Sequence, residues 1–310
     1  MSDSAATPLR FADLPGWPDE DHAAALAVFS RSSATLQDLP RPQGHARAWF
    51  ESHFTPMLSN VGGTPLFTGY FEPILDAALT PDDRFRWPLY RLPADIAENP
   101  PGPTRAQIDR LGALAGKGLE LCWLDDPVAA FFLHVQGSGR LRLPDGSTFR
   151  VGFAGKTGHS YRSLGAELVA RGALAPGQVT ADTIADWARR HPDAARDAME
   201  ANASYVFFRQ LDGLGEEDGP LGALGVPLTP DRSVAVDPAH VPLGAPVWIE
   251  VPGYAPRGRL MVAQDIGGAI KGAQRADIFC GTGAKAGAVA GGLRQTGRMI
   301  VLVPQAGGPA

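Results

Sequence analysis

The chain has 310 residues, 44% of them apolar, which is enough for a sizeable core and for one large or two modest domains. Its formal net charge of −5 argues against a nucleic-acid partner, which a basic surface would favour. No apolar run reaches the roughly 18 residues needed to span a bilayer. Two cysteines are too few for a disulfide framework or a cysteine zinc site. The N-terminal MSDSAATPLRF has neither a basic start nor an apolar core, so no signal or lipoprotein segment is predicted in this sequence.

The predicted elements change in type along the chain. Helices are expected over residues 23–29, 44–53, 104–115 and 163–171, from the N-cap Thr180 to a point before Pro192, and on to about residue 201. Strands are expected over residues 66–72, 129–135, 140–143, 148–153, 205–209, 233–236, 246–251, 259–262, 276–279 and 298–303. Because 37 glycines and 28 prolines favour tight turns, the six strands after residue 204 predict a small barrel.

Three aspartates at strand ends are the most informative feature. Residues 264–283 read QDIGGAIKGAQRADIFCGTG, in which Asp265 and Asp277 bracket a glycine-rich turn carrying Lys271. Asp237 ends an earlier strand-like run. Any one aspartate alone is also a good turn former, but Asp277 lies in a strand-like stretch where Asp is disfavoured. Burial and a neighbouring carboxylate would raise the pKa of such a group, which could then donate a proton to a leaving oxygen.

The sequence does not favour a metal site or a nucleophilic residue in place of an acid. Three carboxylates suit Ca²⁺ or Mg²⁺, but their spacings do not match a calcium loop and Lys271 lies between two of them, so no metal is expected. Cys280 is predicted to be a small buried residue and not a nucleophile. No Gly-x-Ser-x-Gly elbow with a downstream partner and no His-Glu-x-x-His pattern is present.

Two polar motifs have both a structural and a functional interpretation. Gln136-Gly-Ser-Gly-Arg140 follows an apolar run and is either a hairpin connection or a set of donors for a polyhydroxylated or acidic ligand. Residues 68–73, TGYFEP, are either an edge strand ended by proline or a sugar contact. In the second case Tyr70 or Phe71 would stack on a ring, with Thr68 and Glu72 hydrogen bonding.

These motifs together resemble the membrane-bound lytic transglycosylase A family, and the last third resembles the so-called 3D domain, named after three aspartates. The matching segments are TGYFEP from Thr68, VQGSGR from Val135, YRSLG from Tyr161, SYVFF from Ser204, VDP from Val236, and DIGGAIKG from Asp265 with Asp277 downstream.

The resemblance implies a mainly β fold with flanking helices. Residues 1–75 and 204–310 would form a double-psi β-barrel, residues 76–203 a smaller inserted β-rich domain, and a groove between them would hold peptidoglycan. The family cuts the β-1,4 bond between N-acetylmuramic acid and N-acetylglucosamine without water, giving a 1,6-anhydro product.

Site roles carry over onto the matching positions. Asp277 would act as the acid and then the base, Asp265 would support it, and Asp237 would hold the barrel loops. Substrate contacts are expected at the remaining motif positions, namely Thr68, Gly69, Tyr70, Glu72, Gln136, Ser138, Arg140, Tyr161, Ser204, Gly267, Gly268 and Lys271.

The resemblance also sets the expected surroundings. No cofactor, metal or nucleic acid is expected, and the partners are peptidoglycan glycan strands and proteins of cell-wall synthesis or division. A monomer in the periplasm or at the outer membrane of a Gram-negative bacterium is predicted. A peptidoglycan hydrolase that uses water and a non-catalytic glycan-binding 3D module are the alternatives.

Overall fold

The computed structural model describes residues 6–32, 45–59 and 63–305, so Gly44 at the start of the second predicted helix lies outside the described residues. The chain forms two compact units, Met1–Phe71 with Gly215–Ala310, and Glu72–Leu214. Among the described residues, none of the helices has both the length and the apolar character needed to cross a membrane.

The described part of the chain is mainly β, as predicted. Its strands are β1 (Ala6–Pro8), β2 (Phe54–Ser59), β3 (Leu66–Glu72), β4 (Ile74–Ala78), β5 (Trp87–Tyr90), β6 (Glu120–Leu124), β7 (Ser138–Arg142), β8 (Thr148–Lys156), β9 (Val206–Leu211), β10 (Ser233–Val236), β11 (Pro246–Val251), β12 (Ala255–Ile266), β13 (Arg275–Thr282), β14 (Arg294–Gln295) and β15 (Arg298–Pro304).

Flanking helices are the second component of the fold. They are α1 (His22–Ser32), α2 (Ala46–His53), α3 (Ala94–Glu98), α4 (Arg105–Asp109), α5 (Pro127–Gln136), α6 (Leu164–Ala170), α7 (Ala181–Arg190), α8 (Pro192–Glu200) and α9 (Gly283–Gly292).

The first unit is built on one sheet whose described strands are ordered β1-β2-β15-β11-β12-β10-β13-β3-β14. Both faces of its central strands are buried, and successive residues alternate between two cores. On β12, Met261 and Ala263 enter one core, whereas Leu260 and Val262 enter the other. This double burial explains why these strands are apolar throughout and do not alternate with polar residues.

The N-terminal helices cover one face of this sheet with aromatic side chains. Phe29 of α1 and Phe50 of α2 pack with Trp17 and with Trp248 of β11 in a fully buried layer. Trp17 and Trp248 meet edge to face, with ring centroids 5.3 Å apart. The N-terminal segment is therefore part of the first unit's core.

The second unit has a six-stranded sheet ordered β5-β6-β4-β7-β8-β9. The strands predicted over residues 140–143 and 148–153 correspond to β7 and β8, which pair antiparallel as a hairpin. Helices α5, α6, α7 and α8 bury a separate apolar cluster that includes Phe131, Leu168 and Ile184.

One predicted strand, over residues 129–135, is wrong because this segment lies within helix α5. Asp126 caps the helix by accepting hydrogen bonds from two backbone N–H groups of its first turn, and Pro127 occupies the first helical position. Gly137, with φ of 79°, ends the helix in the left-handed conformation. The run PVAAFFLHVQ is apolar on most sides, so its periodicity does not distinguish a helix from a strand.

Two other predicted boundaries differ from those observed. The predicted helix over residues 104–115 ends at Asp109, and the chain then turns at Gly112, which has φ of 65°. The strand predicted at 205–209 was assigned to the barrel, but β9 pairs with β8 of the second unit. The chain therefore returns to the first unit after Leu214, and not at Ser204.

Removing the cap of α5 tests this helix. Asp126→Ala is expected to lower the free energy of unfolding of the second unit by about 1 kcal/mol, because two backbone N–H groups lose their acceptor. Urea denaturation followed by circular dichroism measures the change. Asp126→Asn keeps an acceptor oxygen and is the matched control, so equal destabilisation by both variants would contradict the capping role.

Candidate active site

Asp265 and Asp277 lie on two strands that flank Ala235. β10 pairs in parallel with β12, which places Ala235 opposite Asp265, and antiparallel with β13, which places Ala235 opposite Asp277. Residues opposite one another in a sheet point to the same face. Both carboxyl groups therefore face the same side, with only a methyl group on the strand between them.

A β-bulge in β12 turns Asp265 onto this face. Val234 is opposite Ala263, but the next residue, Ala235, is opposite Asp265, so Gln264 is the extra residue. Without the bulge the side chain of Asp265 would point into the core that contains Ala263, because a shift of one residue reverses the face.

Buried hydrogen bonds hold the bulge residue in place. The Gln264 side chain is fully buried and donates from Nε2 to Ser32 Oγ at 2.7 Å. Its Oε1 accepts from Ser233 Oγ at 2.5 Å, and Ser233 Oγ in turn accepts from the backbone N–H of Thr229. The amide is therefore engaged at both ends, between the last residue of α1 and the first residue of β10.

Strand β3 supplies one hydroxyl group to each carboxyl group. Thr68 Oγ1 donates to Asp277 Oδ1 at 2.5 Å, and Tyr70 Oη donates to Asp265 Oδ2 at 2.9 Å. Residues two apart on a strand share a face, so one strand serves both groups. This constellation of two acids and two hydroxyls is the candidate active site.

The two carboxyl groups differ in their other contacts. Asp265 Oδ1 also accepts from the backbone N–H groups of Ala223 and Ile266, each at 2.9 Å. Among the described residues, the hydrogen bond from Thr68 is the one that reaches the Asp277 side chain. Hydrogen bonds to a carboxylate stabilise its ionised form, and Asp265 receives more of them.

Burial raises the pKa of both groups. Desolvation is the main cause of the raised pKa at Asp265, where the charge of Asp277 adds to it and the three donors oppose it. Desolvation also raises the pKa of Asp277, against the hydrogen bond from Thr68 and the charge of Arg275. A carboxyl group of this kind keeps its proton at higher pH than an exposed aspartate and can serve as a general acid.

A buried apolar cluster includes residues next to Asp265 and Asp277. Tyr70, Ala235 and Phe279 pack with Leu228 and Ile270 in one buried cluster. The rings of Tyr70 and Phe279 lie 5.4 Å apart. Phe279 follows Asp277 by two residues on β13 and therefore shares its face.

Asp237, the third aspartate, serves the adjacent loops. It is 6% exposed, and its carboxylate accepts from the backbone N–H of Gly272 at 2.9 Å and from that of Ala239 at 3.3 Å. Lys271 Nζ lies 3.5 Å from Asp237 Oδ1, and the lysine side chain is mostly exposed. The hydrogen bond from Gly272, followed by that from Ala239 and the Lys271 charge, holds the pKa of Asp237 below its usual value.

The glycines of the predicted site provide turns and close packing. Gly267 accepts a backbone hydrogen bond from Ile270, and a Cβ there would come within 2.6 Å of that side chain, while neighbouring Gly268 is exposed. A Cβ at Gly69 would come within 2.8 Å of Ala290 and 2.9 Å of Cys280 Sγ. Cys280 packs against Gly69 but remains partly exposed, which corrects its prediction as a buried residue.

The remaining predicted contact residues belong to the second unit. Glu72 is fully buried and forms a 2.7 Å ion pair with Arg140. Its carboxylate is therefore not accessible to a ligand, in contrast to the prediction. Ser138 and Ser204 are also buried, and the backbone oxygen of Ser204 accepts from Arg105.

Two predicted contact residues of this unit remain accessible. Gln136, at the end of α5, is partly exposed, and Tyr161 is 44% exposed. The hairpin interpretation of residues 136–140 is wrong, because Gly137 ends a helix and Ser138 begins a strand.

Sequence reasoning missed Gln264 and the backbone N–H of Ala223. Gln264 had a usable signal, since it is a polar residue within the otherwise apolar stretch LMVAQ of a buried strand. Ala223 had none, because its contribution comes from a loop whose packing brings it to Asp265. Gly222 makes that approach feasible, since a Cβ there would lie 2.5 Å from the Gln264 carbonyl oxygen.

Comparisons with known proteins agree with this architecture. Residues 66–209 match the MltA specific insert domain and residues 232–303 match the 3D domain. The membrane-bound lytic murein transglycosylase A of Vibrio cholerae is 36% identical over 250 residues, 77% of this chain and 66% of that relative. The match thus spans slightly less than two thirds of that curated relative's length.

Solved structures match over nearly the whole chain. The membrane-bound lytic murein transglycosylase from Agrobacterium tumefaciens has a TM-score of 0.86 at 32% identity, covering 97% of this chain and 98% of that one. Escherichia coli MltA with bound chitohexaose has a TM-score of 0.75 at 29% identity, covering 98% and 96% respectively.

The protein is mainly β, and its sequence contains an MltA specific insert domain and a 3D domain. Its candidate site is a half-buried pair of aspartates in the first unit. The chain belongs to the MltA family of membrane-bound lytic murein transglycosylases.

Replacing the bulge residue tests the support of Asp265. Gln264→Leu is expected to lower the free energy of unfolding by about 1–3 kcal/mol, because the hydroxyl groups of Ser32 and Ser233 lose a buried partner. Urea denaturation measures the loss. Gln210→Leu, at an exposed position on β9, should change stability by less than about 0.5 kcal/mol. Equal effects of the two variants would refute the role of Gln264.

Acid should reveal the contribution of Asp237. Because its pKa is lowered in the folded state, ionised Asp237 stabilises the fold above its unfolded pKa of about 4, and this stabilisation is lost as the pH falls through the folded value. We therefore expect Asp237→Asn to lower Tm at pH 7 and to lower it less near pH 3. A difference in Tm that is the same at both pH values would exclude this contribution.

Proposed function

We propose that this protein is a lytic transglycosylase that cleaves the β-1,4 bond between N-acetylmuramic acid and N-acetylglucosamine in peptidoglycan. One observation carries the proposal: Asp277 is a half-buried carboxyl group with a raised pKa, held by Thr68 beside a second carboxyl group. Such a group keeps its proton to a higher pH than an exposed aspartate and can give it to a glycosidic oxygen.

In the first step Asp277 donates its proton to the glycosidic oxygen. The bond from muramoyl C1 to that oxygen breaks, its electron pair stays on the oxygen, and the N-acetylglucosamine hydroxyl leaves. Positive charge develops on C1, as in other glycosidic cleavages. The carboxylate of Asp277 then remains beside the sugar.

In the second step the C6 hydroxyl of the same muramoyl residue attacks C1. A C6–O–C1 bond forms, and the hydroxyl proton passes to Asp277, which returns to its starting state. No water is consumed, and the product ends in a 1,6-anhydro ring. One carboxyl group suffices because it acts as acid and base in turn, and the nucleophile is held by its own sugar ring.

The other two aspartates have supporting roles in this proposal. Asp265 polarises and orients groups around the reacting bond from its fixed place on β12. Asp237 holds the loop of residues 267–272 by accepting from Gly272. The backbone of that loop, with Gly267, Gly268 and Lys271, contributes to the substrate surface.

The proposed substrate is a glycan strand. An E. coli relative was solved with bound chitohexaose, an oligosaccharide. In the second unit Gln136 and Tyr161 are the candidate contacts, since an amide and an accessible aromatic ring suit sugar hydroxyls and ring faces. Because peptidoglycan lies in the cell envelope and the relatives are named membrane-bound, we place the protein in the periplasm or at the outer membrane of a Gram-negative bacterium.

The product of murein digestion tests the reaction. Purified sacculi incubated with the protein should release soluble fragments whose mass spectra show 1,6-anhydromuramic ends. Reducing ends alone would indicate a hydrolase that uses water. Binding to sacculi without any soluble product would indicate a glycan-binding module.

The acid is tested by substitution. Asp277→Asn should keep the wild-type fold and lose at least about 100-fold of the turnover, because the amide cannot donate and recover the proton. Release of anhydro products from sacculi measures turnover, and circular dichroism checks the fold. Asp231→Asn, on a nearby loop of the same unit, controls for the loss of a carboxylate. Near-normal turnover by Asp277→Asn would remove Asp277 from the role of acid.

A further inference from the structure

Tyr70 connects two strands of the site through one hydrogen bond. Its ring is buried against Phe279, it is 9% exposed, and Oη donates to Asp265 Oδ2 at 2.9 Å. Burial raises the pKa of Tyr70, and the charge of Asp265 raises it further, so the hydroxyl keeps its proton and remains a donor. Tyr70 therefore contributes both an aromatic ring to the buried cluster and a hydrogen-bond donor to Asp265.

The hydroxyl of Tyr70 increases the difference in hydrogen bonding between the two acids. With it, Asp265 accepts three hydrogen bonds, from Tyr70, Ala223 and Ile266. Asp277 accepts from Thr68 within the described part of the chain. When two carboxyl groups interact electrostatically, hydrogen bonds to one of them favour its ionisation ahead of the other.

Two charges near the pair act against this order of ionisation. Arg275 of β13 lowers the pKa of Asp277, and Asp277 itself raises the pKa of Asp265, so both effects oppose this order. The guanidinium of Arg275, however, donates to the backbone oxygens of Leu66 and Ala276. It therefore acts on Asp277 through space, whereas Asp265 has three donors in direct contact.

One more ionisable group on β13 interacts electrostatically with Asp277. Burial raises the pKa of Cys280 to about 12, so it remains a neutral thiol in the pH range of interest. Tyr70 is thus one of three neutral donors to Asp265 and the one supplied by a side chain, whereas Ala223 and Ile266 donate from the backbone.

We propose that Tyr70 is a positioning residue which, by donating to Asp265, keeps that group ionised, so that Asp277 is the member of the pair that retains its proton. This inference rests on the proposed function for its role in catalysis, but the order of ionisation is a property of the folded protein alone. The hydroxyl of Tyr70 then selects which aspartate gives its proton to the substrate.

The first test needs no substrate. Carboxyl ¹³C NMR of protein labelled at aspartate, assigned with Asp265→Asn and Asp277→Asn, follows each group with pH. We expect Asp265 to lose its proton before Asp277, and Tyr70→Phe to move the Asp265 titration up by roughly one pH unit or more, as expected for loss of a charge-assisted hydrogen bond. Ionisation of Asp277 first, or no movement in Tyr70→Phe, overturns the proposal whether or not the protein is an enzyme.

A matched variant separates this effect from the loss of any tyrosine hydroxyl. Tyr254 also donates to an aspartate of the first unit, Asp231, which lies outside the acid pair. Tyr254→Phe should leave the Asp265 and Asp277 titrations in place. A shift as large as that in Tyr70→Phe would mean that the effect is general and not due to Tyr70.

Kinetics supply the second test, on soluble peptidoglycan glycan strands of defined length. Tyr70→Phe should lower kcat about tenfold, with KM within about twofold, and should move the acidic limb of the pH profile upward by roughly one pH unit. A lower kcat with an unmoved acidic limb would indicate a packing defect and overturn the proposal. If wild-type protein releases no anhydro product, the proposed function fails while the NMR result still decides the role of Tyr70.

A third variant covers the case in which Tyr70→Phe does not fold. Incorporation of 3-fluorotyrosine at position 70 keeps the ring and makes the hydroxyl a stronger donor. The Asp265 titration should then move to lower pH, opposite to the effect of phenylalanine. An unchanged titration in the folded fluorotyrosine protein would overturn the assignment.

Discussion

The pairing of β10 with two partners is the constraint on which the site depends. One neighbour runs parallel and the other antiparallel, and Ala235 is the residue at which both registers place an aspartate. A larger side chain at Ala235 would fill the space between the acids. A different register in either ladder would turn one acid into the core. The placement of the two acids on one face therefore follows from the backbone pairing of β10 with β12 and β13.

Burial and hydrogen bonding then act on the acids in opposite directions. Desolvation raises the pKa of both Asp265 and Asp277, which favours keeping a proton in the pair. Hydrogen-bond donors from β3, β12 and the loop containing Ala223 stabilise the carboxylates and therefore favour the loss of a proton. Desolvation and hydrogen bonding therefore act against each other on the ionisation of both groups.

Much of the fold and of the site could be predicted from the sequence, and the limits have physical causes. The strands after residue 233, the acids and their strand-end positions follow from short apolar runs bounded by glycines. The face of Asp265 could not be predicted, because the bulge that sets it is a property of the pairing with β10. Nor could the burial of Glu72, whose partner Arg140 lies 68 residues away. Helix α5 was mistaken for a strand because its apolar run has no clear period.

The hydrogen bond between Gln264 and Ser32 has a consequence for the N-terminal helix. α1 carries none of the groups that face the two acids, yet its last residue completes the anchorage of the bulge. A truncation that removed the first 32 residues would also take away the backbone oxygen of Val28, which accepts from the same amide. Such a shortened protein would retain every acid and hydroxyl group of the site, but it would lose part of the first unit's core together with the hydrogen bonds that hold the bulge and orient Asp265.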